Sequence, residues 1–114
     1  MNEENAPFNE WLEDFRQFAD ETAQKCAPKQ RKWVRFRTQT IRKWIVNSLS
    51  ELYESALKQS KNTELTVTQK ERWSRLTAYI AQTINVILNA YDEVAIEKAI
   101  HDLKEYVKKH VETP

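Results

Sequence analysis

The sequence predicts an all-α protein, a compact bundle of about four helices. The first observation behind this prediction is that the 114 residues include no glycine, which disfavours hairpin-rich β folds with turns at positive φ. The second is that apolar residues recur at helical spacing in four separate stretches. The third is that short polar connections join those stretches, as in helix bundles. We expect one domain over residues 1–114, frayed at residues 1–6 and 112–114.

The first two helices are predicted from their apolar stripes. The first stripe consists of Phe8, Trp11, Leu12, Phe15, Phe18, Ala19, Thr22 and Cys26. This helix should begin near Pro7 and end before Pro28, because the residue before a proline disfavours helical dihedrals. The second helix should span about residues 30–58, since Val34, Ile41, Ile45 and Leu52 fall within about 40° on a helical wheel. A break near Thr38 would instead give five helices, because Thr38 or Thr40 could cap a new one.

The third and fourth helices follow a polar connection at residues 59–66. Thr68 and Glu71 have the spacing of a capping box, which places the start of the third helix there. The stripe of the third helix is Trp73, Ile80, Ile84, Ile87 and Tyr91. After a short turn at residues 89–92, the stripe of the fourth helix is Ile96, Ile100, Leu103 and Val107. We expect this helix to fray after His110.

The sequence offers little for catalysis or metal binding. Without glycine there is no Gly-rich phosphate-binding loop. The single cysteine, Cys26, lies on a predicted core stripe, and it cannot form an internal disulfide, so we expect a cytoplasmic protein. The two histidines, His101 and His110, have no zinc-type motif around them. We therefore expect a non-catalytic domain without a metal site and, since no apolar run is long enough, without a membrane span.

The charges are strongly segregated along the chain, although the net charge is only +1. Residues 26–50 carry seven bases and no acid, whereas residues 1–25 carry seven acids and two bases. Within the basic part, residues 31–44 combine six cations with two tryptophans and a phenylalanine. Proteins bind single strands with a positive groove for the phosphates and aromatic rings for the bases, and a nucleoside triphosphate makes similar demands. The pattern therefore predicts a polyanion-binding surface.

On a continuous second helix, cations lie on both flanks of the core stripe, two tryptophans lie on one of these flanks, and Phe36 lies with three lysines on the side opposite the stripe. The third helix adds two arginines and a tyrosine on its non-core side. The predicted nucleic-acid- or nucleotide-binding residues are Lys29, Arg31, Lys32, Trp33, Arg35, Phe36, Arg37, Arg42, Lys43, Trp44, Arg72, Arg75 and Tyr79. Other interpretations stay open for some of them. Tryptophans at the edge of a stripe often pack between helices, Phe36 would be buried if the helix breaks before Thr38, and the acidic first helix would neutralise the basic one by packing beside it.

The predicted order of helices, with a second segment rich in basic and aromatic residues, depends on two stretches of the sequence, RKWVRFRTQTIRKWIVNSLSELYESALK and TVTQKERWSRLTAYIAQTINVIL. In this layout the chain, from about Phe8 onward, resembles the helix-bundle domain of archaeal plasmid primase-polymerases, of the archaeo-eukaryotic primase class. The resemblance implies a non-catalytic module that binds single-stranded DNA template and nucleotide, including ATP with Mg²⁺, and supports primer initiation during DNA replication. Its partner would be the catalytic primase domain of the same chain.

Two other functions are compatible with the sequence. A small helical subunit of a CRISPR effector complex would also line a nucleic-acid backbone with basic helices, but without nucleotide dependence. A purely structural or protein-interaction bundle would use Trp33 or Trp44 for self-association that is insensitive to salt. An enzyme is the least favoured alternative, because no constellation of acids suggests a pocket for general acid–base chemistry.

Overall fold

Four α-helices and a short terminal turn make up the part of the chain that the structure describes, which confirms the all-α prediction. The structure, a computed structural model, describes residues 6–25 and 34–112, with the side chains of residues 8–25 and 39–112. The helices are α1 (Ala6–Lys25), α2 (Val34–Ser60), α3 (Val67–Leu88) and α4 (Glu93–Val107), and α4 continues into a π-helical turn at Lys108–Glu112. The bundle is elongated, with extents of 49 × 25 × 18 Å.

Successive helices run antiparallel, as contacts between them show. The indole Nε1 of Trp11 in α1 donates a hydrogen bond to the carbonyl of Leu52 in α2 at 3.1 Å. Further along α1, Phe18 stacks on Trp44, which lies earlier in α2. This up-and-down order brings the start of α2, the end of α3 and the start of α4 to the same end of the bundle.

The core is rich in aromatic rings where α1 meets α3. Phe8 stacks on Trp73 with ring centroids 4.2 Å apart, and Trp11 contacts Trp73 edge-on at 6.3 Å. Trp73 is fully buried, which confirms that it belongs to the core. Aliphatic side chains fill the rest of the core, and they include Ile41, Ile45, Leu49, Leu52, Leu76, Ile80, Ile87, Ile96, Ile100, Leu103 and Val107. The predicted stripes of α1 and α4 are buried over all their described members.

The second helix is continuous across the suggested break. Helical backbone runs from Val34 through Thr38 and Thr40 to Ser60, so the five-helix alternative is wrong for these residues. The buried residues Ile41, Ile45 and Leu49 recur every four positions along this helix, and their burial against the other helices stabilises this part of it. The predicted beginning of this helix, the side chain of Val34, and Cys26 lie outside the described residues.

The third helix begins two residues earlier than predicted. Its capping box is formed by Thr66 and Gln69: the Thr66 hydroxyl accepts from the backbone N–H of Gln69 at 3.1 Å, and the Gln69 side chain accepts from the backbone N–H of Thr66 at 3.0 Å. The sequence contains the same motif in two registers, and Thr66 has the extended dihedrals of an N-cap. The assignment to Thr68 and Glu71 is therefore wrong, and the earlier start adds a half-turn of helix.

Two predictions near the ends of helices are also wrong. Periodicity places Tyr91 on the core stripe of the third helix, but Tyr91 is 99% exposed. The helix ends at Leu88, so the helical period no longer applies at Tyr91, three residues later. The fourth helix does not fray after His110, because the chain continues into the π-helical turn and buries Val111 against the core. The short turn at residues 89–92 is confirmed, with the Asp92 carboxylate capping α4 by accepting from the N–H of Ala95 at 3.0 Å.

Candidate nucleic-acid interface

The first candidate surface is one end of the bundle, which we call the basic end and define as residues 34–43 of α2 and residues 89–92 of the α3–α4 turn. A guanidinium nitrogen of Arg42, Nη2, donates a hydrogen bond to the carbonyl of Ala90, which fixes α2 to this turn. The Nε of Arg42 is buried and has no hydrogen-bond partner within the described residues. Arg42 therefore joins the two parts of the basic end and is only partly available to a ligand.

The start of α2 brings its cations to the basic end. Arg35, Phe36 and Arg37 belong to the first turns of α2, which begin without an acidic residue. The N-terminus of a helix carries a partial positive charge, so the backbone at the start of α2 favours a nearby anion. Lys43, further along, is exposed. The side chains of Arg35, Phe36 and Arg37 lie outside the described residues, as do Lys29, Arg31, Lys32 and Trp33 altogether.

Sequence reasoning missed Tyr91 as a member of this surface. Tyr91 directly follows Ala90, the residue that Arg42 contacts, and its ring is almost wholly exposed. Leu88 and Val94 on either side are exposed as well, so the turn presents apolar side chains beside the basic start of α2. The signal was available in the sequence: Tyr91 stands between the helix-ending Asn89 and the N-cap Asp92, a position with no helix face to bury.

Trp44 has a structural role in the contact between α1 and α2. Its ring is half-buried and stacks on Phe18 with centroids 5.7 Å apart and planes 20° apart. The ammonium of Lys25 lies 4.8 Å from the centre of the Trp44 ring. These contacts agree with the alternative that a tryptophan at the edge of the stripe packs between helices, and they leave little of this ring for a base.

Arg72 lies far from the basic end. Its Nη2 donates to the carbonyl of Val111 at 2.8 Å, its Nε donates to the carbonyl of His110 at 3.4 Å, and its guanidinium lies 4.2 Å from the centre of the Phe8 ring. Sixteen residues of α3 separate Arg72 from Leu88, which corresponds to about 24 Å at the helical rise. Arg72 thus holds the C-terminal turn at the opposite end of the bundle, and it does not join Arg42 in one surface.

Arg75 and Tyr79 lie on the face where α3 meets α4. Tyr79 stacks on Tyr106 with centroids 4.3 Å apart, and Tyr106 contacts His110 at 4.7 Å. Burial raises the pKa of the Tyr106 phenol; the positive charge of the exposed Arg75 opposes this shift, and the neighbouring Tyr79 adds to it. This ring cluster with its exposed arginine is a separate feature on the side of the bundle. The predicted residues whose side chains the structure describes therefore divide between four places: the basic end, the α1–α2 contact at Trp44, the C-terminal turn held by Arg72, and this cluster.

Comparisons with known proteins give no further guide to the site: no protein-family model, no curated protein and no solved structure matches the chain. Among the described residues, no group of three or more histidine, cysteine, aspartate or glutamate side chains is arranged to hold a metal ion. None of the described helices has the length and apolar character needed to cross a membrane.

Proposed function

We propose that this domain is a non-catalytic module of a replication primase that binds single-stranded DNA template and a nucleoside triphosphate, ATP among them, to support primer initiation. The observation that carries the proposal is the basic end. There the acid-free start of α2, with Arg35 and Arg37 in its first turns, is joined through Arg42 to a turn that exposes Tyr91.

The basic end combines the two features that single-strand binding requires. Cations along the start of α2 attract the phosphates, and a positive helix terminus strengthens that attraction. The exposed Tyr91 offers a ring on which an unpaired base can stack, a contact that contributes about 1–3 kcal/mol per base. A base in a duplex is already stacked on both sides, so this arrangement favours single strands.

The resemblance to the primase helix bundle supplies the remainder of the proposal. It implies that the catalytic primase domain of the same chain performs the chemistry, while this domain positions template and nucleotide. ATP with Mg²⁺ is the nucleotide expected from that resemblance, and a cytoplasmic location, expected from the single cysteine, is consistent with a replication protein.

The proposal is tested by fluorescence anisotropy of a short labelled single strand, titrated with the domain at two salt concentrations, with and without ATP and Mg²⁺. Salt-sensitive binding that ATP strengthens supports a template-and-nucleotide module. Salt-sensitive binding that is indifferent to ATP supports a backbone binder such as a CRISPR subunit. Absence of binding at low salt contradicts the proposal and indicates that the basic end faces a protein.

Variants at the start of α2 locate the site. Arg35→Ala or Arg37→Ala should weaken binding for all sequences and lower the slope of log K against log salt by about 0.7 for each phosphate that the variant no longer neutralises. Lys98→Ala is the matched control, because Lys98 is an exposed cation on α4. If the slope falls equally in the Lys98 variant, or is unchanged in the arginine variants, then the phosphates do not bind at the basic end.

A further inference from the structure

The backbone of the α3–α4 turn is tied to a helix on each side of Tyr91. On the α3 side, the backbone N–H of Asn89 donates to the carbonyl of Asn85 at 3.3 Å, and the side-chain amide of Asn89 donates to the same carbonyl at 2.8 Å. On the α4 side, the Asp92 carboxylate accepts from the N–H of Ala95 at 3.0 Å. Residues 89–92 include no glycine, so this turn is stiffer than a glycine-containing one.

Arg42 attaches the same turn to a third helix. Its Nη2 donates to the carbonyl of Ala90, the residue before Tyr91, across 48 residues of sequence. The side chain is half-buried, and its Nε is fully buried. A guanidinium engaged in this way has part of its donor fork turned toward the protein, so it cannot offer the whole fork to a phosphate. Its contact with the protein fixes the turn relative to α2.

The position of the Tyr91 ring depends on this backbone. The ring is almost wholly exposed, so packing against the core does not hold it. Within a nucleotide, covalent geometry limits the distance between the base and its phosphate, so a stacking ring is useful only at a suitable distance from the cations that bind the phosphate. A turn that is already fixed relative to α2 also avoids the entropy cost of ordering it when a ligand binds.

We propose that Arg42 is a positioning residue for base recognition: by holding the Ala90 carbonyl, it fixes Tyr91 relative to the start of α2, so that one unpaired base stacks on the ring while its phosphate contacts the cations. The inference rests on the proposed binding of single strands at the basic end. It adds that the preference for unpaired bases depends on Arg42, a residue that acts through the turn and does not touch the base.

The test compares two labelled single strands of equal length by fluorescence anisotropy, one with bases and one built of abasic sites, which keeps the phosphates and lacks the bases. Arg42→Ala should weaken binding of the base-containing strand by about three- to tenfold and of the abasic strand by less than about twofold. Lys43→Ala is the matched control, because it removes the neighbouring exposed cation of α2 and should change both affinities by the same factor. Arg42→Lys keeps the charge and most of the stem, so it should recover part of the lost affinity.

Several outcomes overturn the inference. Equal weakening of the two strands by Arg42→Ala would make Arg42 a phosphate ligand. If Tyr91→Ala weakens binding of the base-containing strand and Arg42→Ala does not, the ring belongs to the site but Arg42 does not position it, and the proposed function stands. If neither variant weakens that binding, the proposed base contact and the positioning role fail together.

A second measurement tests the anchor without any ligand. In ¹⁵N relaxation of the free domain, Arg42→Ala should lower the order parameter of the Tyr91 amide, whereas Lys43→Ala should leave it unchanged. An unchanged order parameter in a folded Arg42→Ala variant would contradict the anchoring role. If melting curves show that the alanine variant does not fold, Arg42→Lys, which keeps the stem packed, is the variant that decides in both experiments.

Discussion

Replacing Arg72 by alanine is expected to destabilise the domain, because this side chain joins α3 to the C-terminal turn and to α1. The charge-assisted hydrogen bond to the Val111 carbonyl at 2.8 Å contributes about 1–1.5 kcal/mol after allowance for partial exposure. The longer bond to His110 adds little, and the guanidinium over the Phe8 ring contributes about 0.5–1 kcal/mol. Arg72→Ala should therefore lower the free energy of unfolding by about 2 kcal/mol, or roughly 6–12 °C in melting temperature for a domain of this size.

Urea denaturation followed by circular dichroism measures this destabilisation, and two variants make the measurement specific. Arg75→Ala removes an exposed arginine three residues away and should change the free energy of unfolding by less than about 0.5 kcal/mol. Arg72→Lys keeps the charge near Phe8 but loses the forked geometry of the guanidinium, so its free energy of unfolding should lie between those of Arg72→Ala and Arg75→Ala. If Arg72→Ala and Arg75→Ala are equally stable, the assigned anchoring role of Arg72 is wrong.

Three further predictions concern other parts of the molecule. Tyr91→Ala should weaken single-strand binding by about 1–3 kcal/mol without lowering the melting temperature. Val67 is an exposed apolar residue at the start of α3, so Val67→Ala should leave binding unchanged. Equal affinities for the two variants would show that Tyr91 is not part of the site. Thr66→Ala should cost about 0.5–2 kcal/mol of stability in denaturant melts by removing the N-cap of α3, and an unchanged stability would contradict the capping box. Burial raises the pKa of Tyr106, so this phenol should ionise at higher pH than a free tyrosine in an ultraviolet titration, and its contribution to stability should be complete below pH 10 and lost at higher pH as it ionises; Tyr106→Phe should remove this step, and an unchanged titration would contradict the assignment.

Most of the fold could be predicted from the sequence because each helix has one buried face. The stripe from Phe8 to Thr22 and the stripe from Ile96 to Val107 are buried as predicted. The ends of the helices were harder to predict, because neighbouring residues compete to cap a helix and the spacing of apolar residues does not show which of them does so. The two overlapping capping motifs at Thr66 and Thr68 are equivalent in sequence, and only the folded chain selects one.

For the candidate site, only the types of residue involved could be predicted from the sequence, and not which of them lie together. A helical wheel shows which residues share a face of one helix, but it does not show which residues of different helices meet. Arg42 and Arg72 share a charge, yet one contacts Ala90 and the other contacts Val111 at the opposite end of the bundle. Trp44 belongs with the cations of its own helix in sequence, although its ring stacks on Phe18 of another. Tyr91 falls on the core stripe only if the helical period is extended past the end of the helix.

The central claim is that the basic end binds unpaired nucleic acid by combining cations with an exposed ring. The most direct test is the ratio of two dissociation constants, measured by anisotropy under the same salt conditions, for a single strand and for a duplex of the same length and sequence. We expect the single strand to bind more tightly, by about 1–3 kcal/mol for each stacked base. Equal affinity for the two forms would contradict the account, because phosphate attraction alone would then explain the binding and the exposed ring would have no part in it.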